Sequence, residues 1–449
     1  MKVVKFGGSS VADANQIKKV TNIITSDHDR RVIVVSAPGK RHPDDTKTTD
    51  LLITLGDSIY NGARDELAYD RVIERFASIV RDLQISEEVL DTIQSRINEA
   101  CQHTETDYKS GMNRLKSCGE DGTALILSAY LRSSGQESSY VNPKEAGILV
   151  RDELGGALVL DESFDHLYEL RKQKEILVIP GFFGYTPEGE LVTFSRGGSD
   201  ITGSIVAAGV KADLYENFTD VDSVFCVNPT IVDNPMKLTT LTYKEMRELS
   251  YAGFSVFHDE ALIPAFKEKI PVCIKNTNNP DGDGTMIVSV REAEEGHVKG
   301  IASDSGFLNL YVSKYLMNRE LGFGRRLLQI LEDEGISFEH APSGIDDMSV
   351  IIREHQLPKA KETIVTNRIA EELKVDTITV ERDMAMIMLV GEGMNETVGI
   401  ASQAATAFRH ANVNIEMINQ GSSEVSMMFG IKSSGLEPAV RSLYRTFFM

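Results

Sequence analysis

Short apolar runs alternate with amphipathic stretches over the first two thirds of the chain. Val3–Phe6 and Arg31–Ser36 carry β-branched and other apolar residues on both faces, which is typical of parallel strands covered by helices. Stretches with the helical period follow them, over residues 13–26 and 49–60. This alternation predicts an α/β fold with a mainly parallel sheet sandwiched by helices.

Two segments interrupt this pattern. Residues 64–115 are charged and helix-periodic and contain no strong strand, so they predict a helical insertion. Residues 276–297 are rich in Asn, Asp, Gly and acidic residues, which is typical of a connection between domains. We therefore predict a first domain over residues 1–297.

The last third of the chain contains an internal repeat with a shift of 77 positions, in which Met317-Asn318 falls on Met394-Asn395. Each copy has the pattern strand, loop, helix, strand, strand, helix, which buries a small core of its own. We therefore predict two repeat units, over residues 298–380 and 381–449. A duplicated scaffold that binds no ligand is the alternative.

Composition and charge narrow the class of protein. The 449 residues are 41% hydrophobic and 25% charged, and the formal net charge is −20 with a sequence pI near 5.0. This acidity argues against a general nucleic-acid binder, because phosphate contacts need a basic surface. A local positive pocket for a phosphate ligand is still compatible with it.

The cysteines and the N-terminus predict a reduced, cytoplasmic protein. Cys101, Cys118, Cys226 and Cys273 form no CxxC pair and no metal-ligand spacing. The N-terminal residues MKVVKFGGSS lack the apolar region of a signal peptide. No run of about 18 apolar residues suggests a membrane span. We expect no membrane association and no metal site made by the protein alone.

Two similar turns carry candidate chemistry. Residues 5–10 (KFGGSS) and 195–200 (SRGGSD) each place a glycine pair and a cation between a strand and a helix. Glycines let the backbone approach an anion, and a helix N-terminus presents free N–H groups with a positive partial charge. Lys5 can reach a phosphate, and Arg196 can grip a carboxylate through two parallel N–H bonds. Together the turns predict an anion site, although each alone is also explained as a tight turn.

Acidic residues near the ends of elements are further candidates. Glu120 is predicted to open a helix over 120–133. Its carboxylate is there either because the helix dipole stabilises it or because it contacts a positively charged substrate group. Asp200, in the first turn of its helix, has the same two interpretations. Residues 219–222 (TDVD) end a strand, and they suit a ribose, an ordered magnesium ion or an Asx-type turn.

The motifs KFGGSS, SRGGSD and FTDVDSVF, in this order and followed by the tandem repeat, resemble the aspartate kinases (aspartokinases) over essentially the whole chain. The resemblance implies an amino acid kinase domain of the carbamate-kinase-like type, followed by two ferredoxin-like βαββαβ ACT domains. It also implies ATP- and Mg²⁺-dependent phosphorylation of the side-chain carboxylate of L-aspartate, the first step of lysine, threonine and methionine synthesis. Lysine, threonine or both are expected as effectors, and a homodimer or a dimer of dimers through the ACT domains is expected.

The resemblance assigns roles to individual residues, with Lys5 and Asp200 as the expected catalytic pair. ATP contacts are implied at Lys5, Gly7, Gly8, Ser9, Thr219, Asp220 and Phe225. Substrate contacts are implied at Ser36, Thr49, Glu120, Phe182, Arg196, Gly198, Ser199 and Asp200. Thr46 or Thr48 can replace Thr49 in this role, because the preceding loop is long. Effector contacts are expected at Met317, Asn318, Gly322, Phe323, Gly324, Phe338 and Glu339.

Departures from the family pattern keep other functions open. Thr230 and Ser255 stand where many family members have cations that contact ATP phosphates, and Lys275 near a strand end is a candidate replacement. A non-catalytic amino acid sensor on the kinase scaffold is one rival, and a kinase of another small acid such as glutamate is a second. Phe338 and Glu339 are expected on a strand, where Glu339 either contacts the effector or is solvated.

Overall fold

The structure is a computed structural model that describes residues 1–153, 156–195, 197–254, 257, 259–291, 298–394, 397–420 and 425–449. The chain divides into two compact units. The first comprises residues 1–224, 237–247 and 255–291, and the second comprises 225–236, 248–254 and 292–449. The boundary predicted after residue 297 thus differs from this division in three short segments, 225–236, 248–254 and 292–297.

The chain up to residue 291 alternates strands and helices, as the apolar pattern predicts. Its strands are β1 (Lys2–Phe6), β2 (Arg30–Val35), β3 (Ser138–Tyr140), β4 (Val150–Glu153), β5 (Gly156–Val159), β6 (Ile176–Pro180), β7 (Phe183–Tyr185), β8 (Leu191–Thr193), β9 (Leu214–Thr219), β10 (Val224–Phe225), β11 (Lys237–Leu238), β12 (Thr240–Thr242), β13 (Val272–Asn276) and β14 (Thr285–Val288). Its helices are α1 (Ala14–Thr25), α2 (Thr48–Tyr60), α3 (Glu66–Leu83), α4 (Glu88–Thr106), α5 (Tyr108–Ser133), α6 (Pro143–Ala146), α7 (Glu162–Glu169), α8 (Gly198–Gly209), α9 (Tyr243–Tyr251) and α10 (Ile263–Lys267).

Eight of these strands form one sheet in the order β12-β14-β13-β9-β1-β2-β6-β3. β1 pairs in parallel with β2 on one side and with β9 on the other, and β13 continues in parallel beyond β9. The pair β13–β14 is antiparallel. The mainly parallel sheet that the apolar runs predict is therefore confirmed. Because the central strands are parallel, their carboxyl ends meet at one edge.

The segment predicted as a helical insertion, 64–115, contains α3, α4 and the first turns of α5. Its apolar residues follow the helical period and bury one face of each helix. Phe76 and Ile79 of α3 and Ile97 of α4 belong to the same buried core as Phe6 of β1. The helices therefore extend the core of the sheet.

Helix α5 corrects the prediction that a helix opens at Glu120, because it runs without interruption through this position. The glycines that suggest a helix start serve close packing instead. A Cβ on Gly119 would lie 2.6 Å from the Cβ of Ala37, and one on Gly122 would lie 2.8 Å from the ring of Phe76. The helix passes close to the loop after β2, and the interpretation of Glu120 as a helix-start carboxylate is wrong.

A buried ion pair joins the two strands that flank β1. The Nε and Nη2 atoms of Arg30 donate to the two carboxylate oxygens of Glu216 at 2.7 and 3.0 Å. The side chains are 9% and 4% exposed. Arg30 also donates to the carbonyl of Ile23 at 2.6 Å, so the guanidinium is held on two sides.

Glu216→Ala is expected to lower the free energy of unfolding by about 3–5 kcal/mol, because it leaves a buried guanidinium without its partner. Urea unfolding followed by circular dichroism measures the loss. Asp27→Ala is the matched control, since Asp27 pairs with Lys2 and both side chains are partly exposed. The control is expected to lose less than about 1 kcal/mol. Equal losses in the two variants would contradict the importance of burial.

The second unit carries the repeat. Its strands are β15 (Gly300–Ser313), β16 (Asp347–Arg353), β17 (Thr377–Val390), β18 (Met417–Gln420) and β19 (Ser426–Lys432). Its helices are α11 (Phe323–Asp333), α12 (Lys359–Leu373), α13 (Ile400–His410) and α14 (Leu436–Phe448). Adding 77 to the bounds of β15 gives those of β17, and adding 77 to the bounds of α11 gives those of α13. The shift found in the sequence is therefore also the shift between the two structural repeats.

The two repeats share their central strands. The described strands form one sheet in the order β16-β15-β17-β19-β18. Residues 300–305 of β15 pair with residues 385–390 of β17, which also pair with β19. Residues 307–313 of β15 lie between β16 and residues 377–384 of β17 and pair with both. The first half of β15 therefore lies beside the part of β17 that pairs with β19. The units 298–380 and 381–449 stay predictions.

Two further features of the chain are the state of its cysteines and the character of its helices. Cys101, Cys118, Cys226 and Cys273 are free and buried. Burial raises the pKa of Cys226 and Cys273 to about 11, which keeps both thiols protonated at neutral pH. Within the described part of the chain, no helix has the length and apolar character needed to cross a membrane.

Candidate active site

The carboxyl ends of five parallel strands meet at one edge of the large sheet. β1 is the strand from which the sheet extends in both directions, to β2 and β6 on one side and to β9 and β13 on the other. Ligands of open α/β sheets bind in the crevice at such a switch point. The residues directly after these ends are Gly7 after β1, Ser36 after β2, Gly181 after β6, Asp220 after β9 and Thr277 after β13.

Lys5 and Asp200 form an ion pair at this edge. The Nζ atom of Lys5 lies 2.6 Å from Oδ1 of Asp200, and the side chains are 7% and 18% exposed. Asp200 lies in the first turn of α8, where the helix dipole also favours a carboxylate. The structure thus brings together the two residues that the resemblance marks as catalytic.

The glycine loop after β1 is tightly packed beside Lys5. The N–H of Gly7 donates to the carbonyl of Phe218 at 3.0 Å, and the N–H of Gly39 donates to the carbonyl of Gly8 at 2.9 Å. A Cβ on Gly39 would lie 2.6 Å from the backbone of Gly8, so glycine is required at this approach. A Cβ on Gly7 would lie 3.5 Å from Nζ of Lys5, which places the ammonium against the loop.

Glu120 supplies a buried carboxylate to the same edge. It is 5% exposed, and its Oε1 accepts a long hydrogen bond from Ser199 Oγ at 3.4 Å. Its Oε2 is buried and has no hydrogen-bond partner among the described residues. Burial raises the pKa of Glu120 to about 8, against the opposing effect of the Ala37 N–H and the Ser199 hydroxyl. A buried carboxylate oxygen without a partner is suited to a cationic ligand.

Phe182 has a strained backbone at the end of β6. Its φ is +78°, a region that residues with a side chain rarely adopt. Two contacts hold it there: its N–H donates to Oγ1 of Thr202 at 2.9 Å, and a Cβ on Gly198 would lie 2.6 Å from its ring. Strain of this kind concentrates at functional sites, where the surroundings enforce it. The half-buried ring lies beside Gly198, which begins α8 and is followed in the chain by Ser199 and Asp200.

The three threonine candidates differ in how their side chains are used. Thr48 is fully buried, and its hydroxyl donates to the carbonyl of Pro38 at 2.8 Å. Thr46 and Thr49 are half-buried. Because the Thr48 hydroxyl is already engaged with the loop after β2, Thr49 and Thr46 remain the better candidates for a ligand contact. Ser36 is half-buried at the end of β2, and its N–H donates to the carbonyl of Phe6.

The ends of β9 and β13 form the other side of the edge. The carbonyl of Thr219 accepts from the N–H of Thr277 at 2.9 Å, and the Thr219 hydroxyl donates to Asp220 at 3.2 Å. Asp220 is exposed, while Lys275 on β13 is half-buried. Ser10 Oγ and Thr277 Oγ1 are 2.6 Å apart, which links the glycine loop to β13. The sequence motifs do not point to Thr277, Gly39 or Asn217, while Ser10 ends the KFGGSS motif.

Several expected residues are not placed at this edge. Arg196 and Ser255 lie outside the described residues. Phe225, expected beside a nucleotide base, belongs to the second compact unit. Thr230 belongs to that unit as well, and it forms an Asx-type turn in which its N–H donates to Asn228 Oδ1 at 3.0 Å.

The residues expected to bind an effector begin at the loop before α11. Gly322 is the N-cap of α11 with φ +76°, and Phe323 and Gly324 form the first turn. Met317 is buried in a short 3₁₀ turn, and Asn318 is exposed while its N–H donates to the carbonyl of Ile345 at 3.1 Å. These residues therefore lie together at one helix start.

The expectation that Phe338 and Glu339 lie on a strand is wrong. Only an isolated bridge at His340 occurs in this stretch of the described chain, and Phe338 is exposed. Glu339 is not simply solvated, because the hydroxyl of Tyr251 donates to Oε2 and Nε of Arg353 donates to Oε1 at 3.2 Å. Its charge is thus already used by side chains of the protein.

Comparisons with known proteins fit this geometry. Residues 1–276 match the amino acid kinase family, and residues 387–447 match the ACT domain. Aspartokinase 3 of Bacillus subtilis (strain 168) is 54% identical over 449 residues, which are 100% of this chain and 99% of that protein. The chain belongs to the aspartokinase family. As an aspartokinase, it is an enzyme of the kinase class with a regulatory ACT region.

Solved aspartokinases have the same fold. The aspartate kinase of Clostridium acetobutylicum has a TM-score of 0.86 and 38% sequence identity, with 100% of both chains covered. E. coli aspartokinase III in complex with aspartate and ADP has a TM-score of 0.82 at 20% identity, again with 100% of both chains covered. The predicted α/β amino acid kinase fold followed by ACT modules is therefore confirmed. Among the described residues, no group of three or more His, Cys, Asp or Glu could hold a metal ion.

Proposed function

We propose that the protein transfers the γ-phosphoryl group of ATP to the side-chain carboxylate of L-aspartate, which gives 4-phospho-L-aspartate and ADP. The Lys5–Asp200 pair beside the glycine loop carries this proposal, because its 2.6 Å contact fixes a buried cation where phosphoryl charge would lie. The 54% identity to Aspartokinase 3, and the aspartate and ADP bound to E. coli aspartokinase III, support these substrates. As the resemblance implies, the product leads to lysine, threonine and methionine.

The chemistry needs two anions to be brought together, and it needs no strong base. An ionised carboxylate is already a competent oxygen nucleophile, so catalysis rests on positioning and charge stabilisation. In the proposed in-line attack, the Lys5 ammonium neutralises charge on the transferring phosphoryl group. The N–H groups of Gly8 and Ser9 bind neighbouring phosphate oxygens, whereas the N–H of Gly7 donates to the carbonyl of Phe218. Asp200 keeps the ammonium in place through its Oδ1.

Aspartate is proposed to be held by its amino and α-carboxylate groups. The free Oε2 of Glu120 is suited to the substrate ammonium, which would supply the partner that it lacks. Arg196 is proposed to bind the α-carboxylate, because its planar fork matches two oxygens. The remaining wall of the proposed pocket is formed by Ser36, Thr49, Phe182, Gly198 and Ser199.

The nucleotide is proposed to lie along the ends of β9 and β13, with Thr219 and Asp220 as contacts. A place for Phe225 beside the base remains what the family resemblance implies. Lys275 is proposed to replace the phosphate-binding cations that Thr230 and Ser255 do not provide. Mg²⁺ usually binds through one or two carboxylates plus substrate phosphates, and the exposed Asp220 offers such a carboxylate. When bound, Mg²⁺ neutralises phosphate charge.

The KM for aspartate is expected to fall about tenfold between pH 7 and pH 9. Burial raises the pKa of Glu120 to about 8, so the free enzyme mostly holds this proton at pH 7. The substrate ammonium binds the ionised carboxylate, and the proton must leave first. Initial rates at saturating ATP measure the effect, and the KM for ATP in the same buffers is the internal control. A KM for aspartate that does not change with pH would contradict the role of Glu120.

The second unit is proposed to bind an amino acid effector at the start of α11. E. coli aspartokinase III is known in complex with lysine and aspartate, with a TM-score of 0.80 at 21% identity to this chain. Lysine or threonine is the proposed effector, and a homodimer or a dimer of dimers through this unit is the proposed assembly. A cytoplasmic location, predicted from the cysteines and the N-terminus, belongs to the same proposal.

A panel of acceptors tests the proposed function. Purified protein with ATP and Mg²⁺ is given L-aspartate, L-glutamate, D-aspartate or no acceptor, and ADP release is followed by a coupled assay. Turnover with L-aspartate alone is expected, and lysine and threonine added singly and together identify the effector. Preference for L-glutamate would favour a kinase of another small acid. No turnover with any acceptor, together with calorimetric binding of lysine or threonine, would favour the sensor.

A further inference from the structure

We propose that Asn217 is a positioning residue for phosphoryl transfer, which fixes Asp200 and, through Asp200, the ammonium of Lys5. The inference rests on the proposed function and concerns how the catalytic pair is held. Asn217 lies in β9 and is 2% exposed. It belongs to none of the motifs that carry the family resemblance. The hydrogen bond of its side chain leads to the catalytic pair.

The strand register places Asn217 beside Lys5. The two residues are paired in the parallel strands β9 and β1, so their side chains leave the sheet on the same face. Nδ2 of Asn217 donates to Oδ1 of Asp200 at 2.7 Å. Nζ of Lys5 contacts the same oxygen at 2.6 Å. One carboxylate oxygen therefore receives two donors, which fixes the rotation of the carboxylate and leaves Oδ2 outside this contact.

The amide of Asn217 can serve only as a donor toward Asp200. The opposite orientation would bring its oxygen against a carboxylate oxygen, which has no proton to share. The amide oxygen then faces away, and it is buried without a hydrogen-bond partner among the described residues. A buried acceptor of this kind lowers stability, and asparagine is disfavoured in strands. An apolar residue would stabilise the strand better, so the donor to Asp200 is the property that explains asparagine here.

The groups that face this cluster are few in the described part of the chain. Lys5 lies on β1, and Asp200 lies on α8. The hydroxyl of Tyr215, which also lies on β9, donates to the backbone carbonyl of Asp200 at 3.2 Å. The charge of Lys5 acts on Glu120 of α5 and opposes the rise of its pKa. The residue paired with Asn217 on β13 is the apolar Ile274. Changes at position 217 therefore act on the Lys5–Asp200 pair.

Two variants test the inference. Asn217→Leu keeps the shape but removes the donor, and it is expected to lower kcat by about 10-fold to 100-fold with little change in either KM, because the lost hydrogen bond is to a charged group. Asn217→Asp keeps a donor only while the new carboxyl is protonated. Above its pKa, two carboxylates would compete for Lys5. The ratio of kcat for Asn217→Asp to kcat for the unchanged protein is therefore expected to fall by about tenfold or more as the pH rises through the pKa of the new carboxyl, which is followed from about pH 5 to about pH 9.

Thr285→Val is the matched structural control. Thr285 is fully buried in the same sheet, its hydroxyl donates to Leu238 at 2.6 Å and accepts from the N–H of Val224 at 2.9 Å. This variant is expected to lower the thermal midpoint and leave kcat and its pH profile unchanged. If Asn217→Leu does not fold, the pH profile of Asn217→Asp decides the matter alone.

The outcomes separate this inference from the proposed function. Full kcat in Asn217→Leu, or a kcat ratio for Asn217→Asp that does not vary with pH, overturns the positioning role. In either case, turnover of aspartate by the unchanged protein in the same assay leaves the proposed function standing. An unchanged protein without turnover of aspartate rejects the proposed function itself.

Discussion

Lys5→Ala is expected to lower kcat by about 10²–10³-fold, because one charge-assisted contact to a developing anion contributes about 2.7–4 kcal/mol of transition-state stabilisation. The Lys5 side chain is 7% exposed and its Nζ lies 2.6 Å from Oδ1 of Asp200, so its removal leaves this carboxylate without its ammonium partner. The KM for aspartate is expected to change little, since the proposed contacts to the substrate's own charges are made by Glu120 and Arg196. Steady-state rates with ATP and aspartate, and calorimetric binding of aspartate, measure both parts.

Lys2→Ala is the matched control for this experiment. Lys2 lies on the same strand, and its ammonium contacts Asp27 at 2.7 Å away from the carboxyl edge. We expect this variant to keep kcat within about twofold, because partly exposed pairs contribute little. Near-normal turnover in Lys5→Ala would reject the role of Lys5. An equal loss of kcat in Lys2→Ala would show that the loss comes from a disturbed strand and not from the missing ammonium.

Glu120→Gln is expected to raise the KM for aspartate by about 10-fold to 100-fold, because it replaces a charged acceptor for the substrate ammonium by a neutral one. The pH dependence of this KM between pH 7 and 9 is expected to disappear with the titrating group. Initial rates at saturating ATP over this pH range measure both effects. A KM that is unchanged in the variant would place the ammonium elsewhere.

Stability provides a second readout for Glu120→Gln. The pKa of Glu120 is raised from its unfolded value of 4.5 to about 8, so its contribution to stability is complete below pH 4.5 and is lost as the pH rises through 8. The glutamine variant does not lose this contribution, and its stability relative to the unchanged protein is expected to increase from pH 5 to pH 9. Asp121→Asn is the control, because Asp121 follows in the same helix but contacts Arg96 and Tyr140. This control is expected to leave the KM for aspartate unchanged.

Local sequence patterns predicted the elements and the repeat of this protein well. The parallel sheet follows from runs such as Arg31–Ser36, which are apolar on both faces. The shift of 77 positions relates β15 to β17 and α11 to α13 residue by residue. Both signals are local or periodic, so they can be recognised without knowing which strands pair.

The sharing of β15 between the two repeats could not be predicted in the same way. Residues 300–305 pair with residues 385–390 of β17, which also pair with β19, while residues 307–313 pair with both β16 and the first half of β17. Strand pairing depends on which apolar faces meet in three dimensions, and the sequence of β15 is continuous through this change. A boundary drawn from composition alone therefore assigns the whole strand to one repeat.

Glycine has two structural roles in this protein that the sequence alone does not distinguish. At Gly7 and Gly8 it forms the tight loop that the motif predicts. At Gly119 it lies inside α5, where it allows the helix to approach Ala37, so the predicted helix start at Glu120 is wrong. The role of Asn217 could not be predicted from the sequence either, because it depends on the register between β9 and β1.

A hydroxylamine trap tests the central claim most directly. The protein is incubated with ATP, Mg²⁺ and hydroxylamine, with L-aspartate, with L-glutamate or without acceptor, and the hydroxamate is separated and identified by mass. Formation of the β-hydroxamate of aspartate, dependent on ATP and lost in Lys5→Ala, is the expected result, because an acyl phosphate is captured by the amine whereas simple ATP hydrolysis gives no hydroxamate. ADP release without any hydroxamate, or a hydroxamate formed from glutamate alone, would contradict phosphorylation of the aspartate side chain.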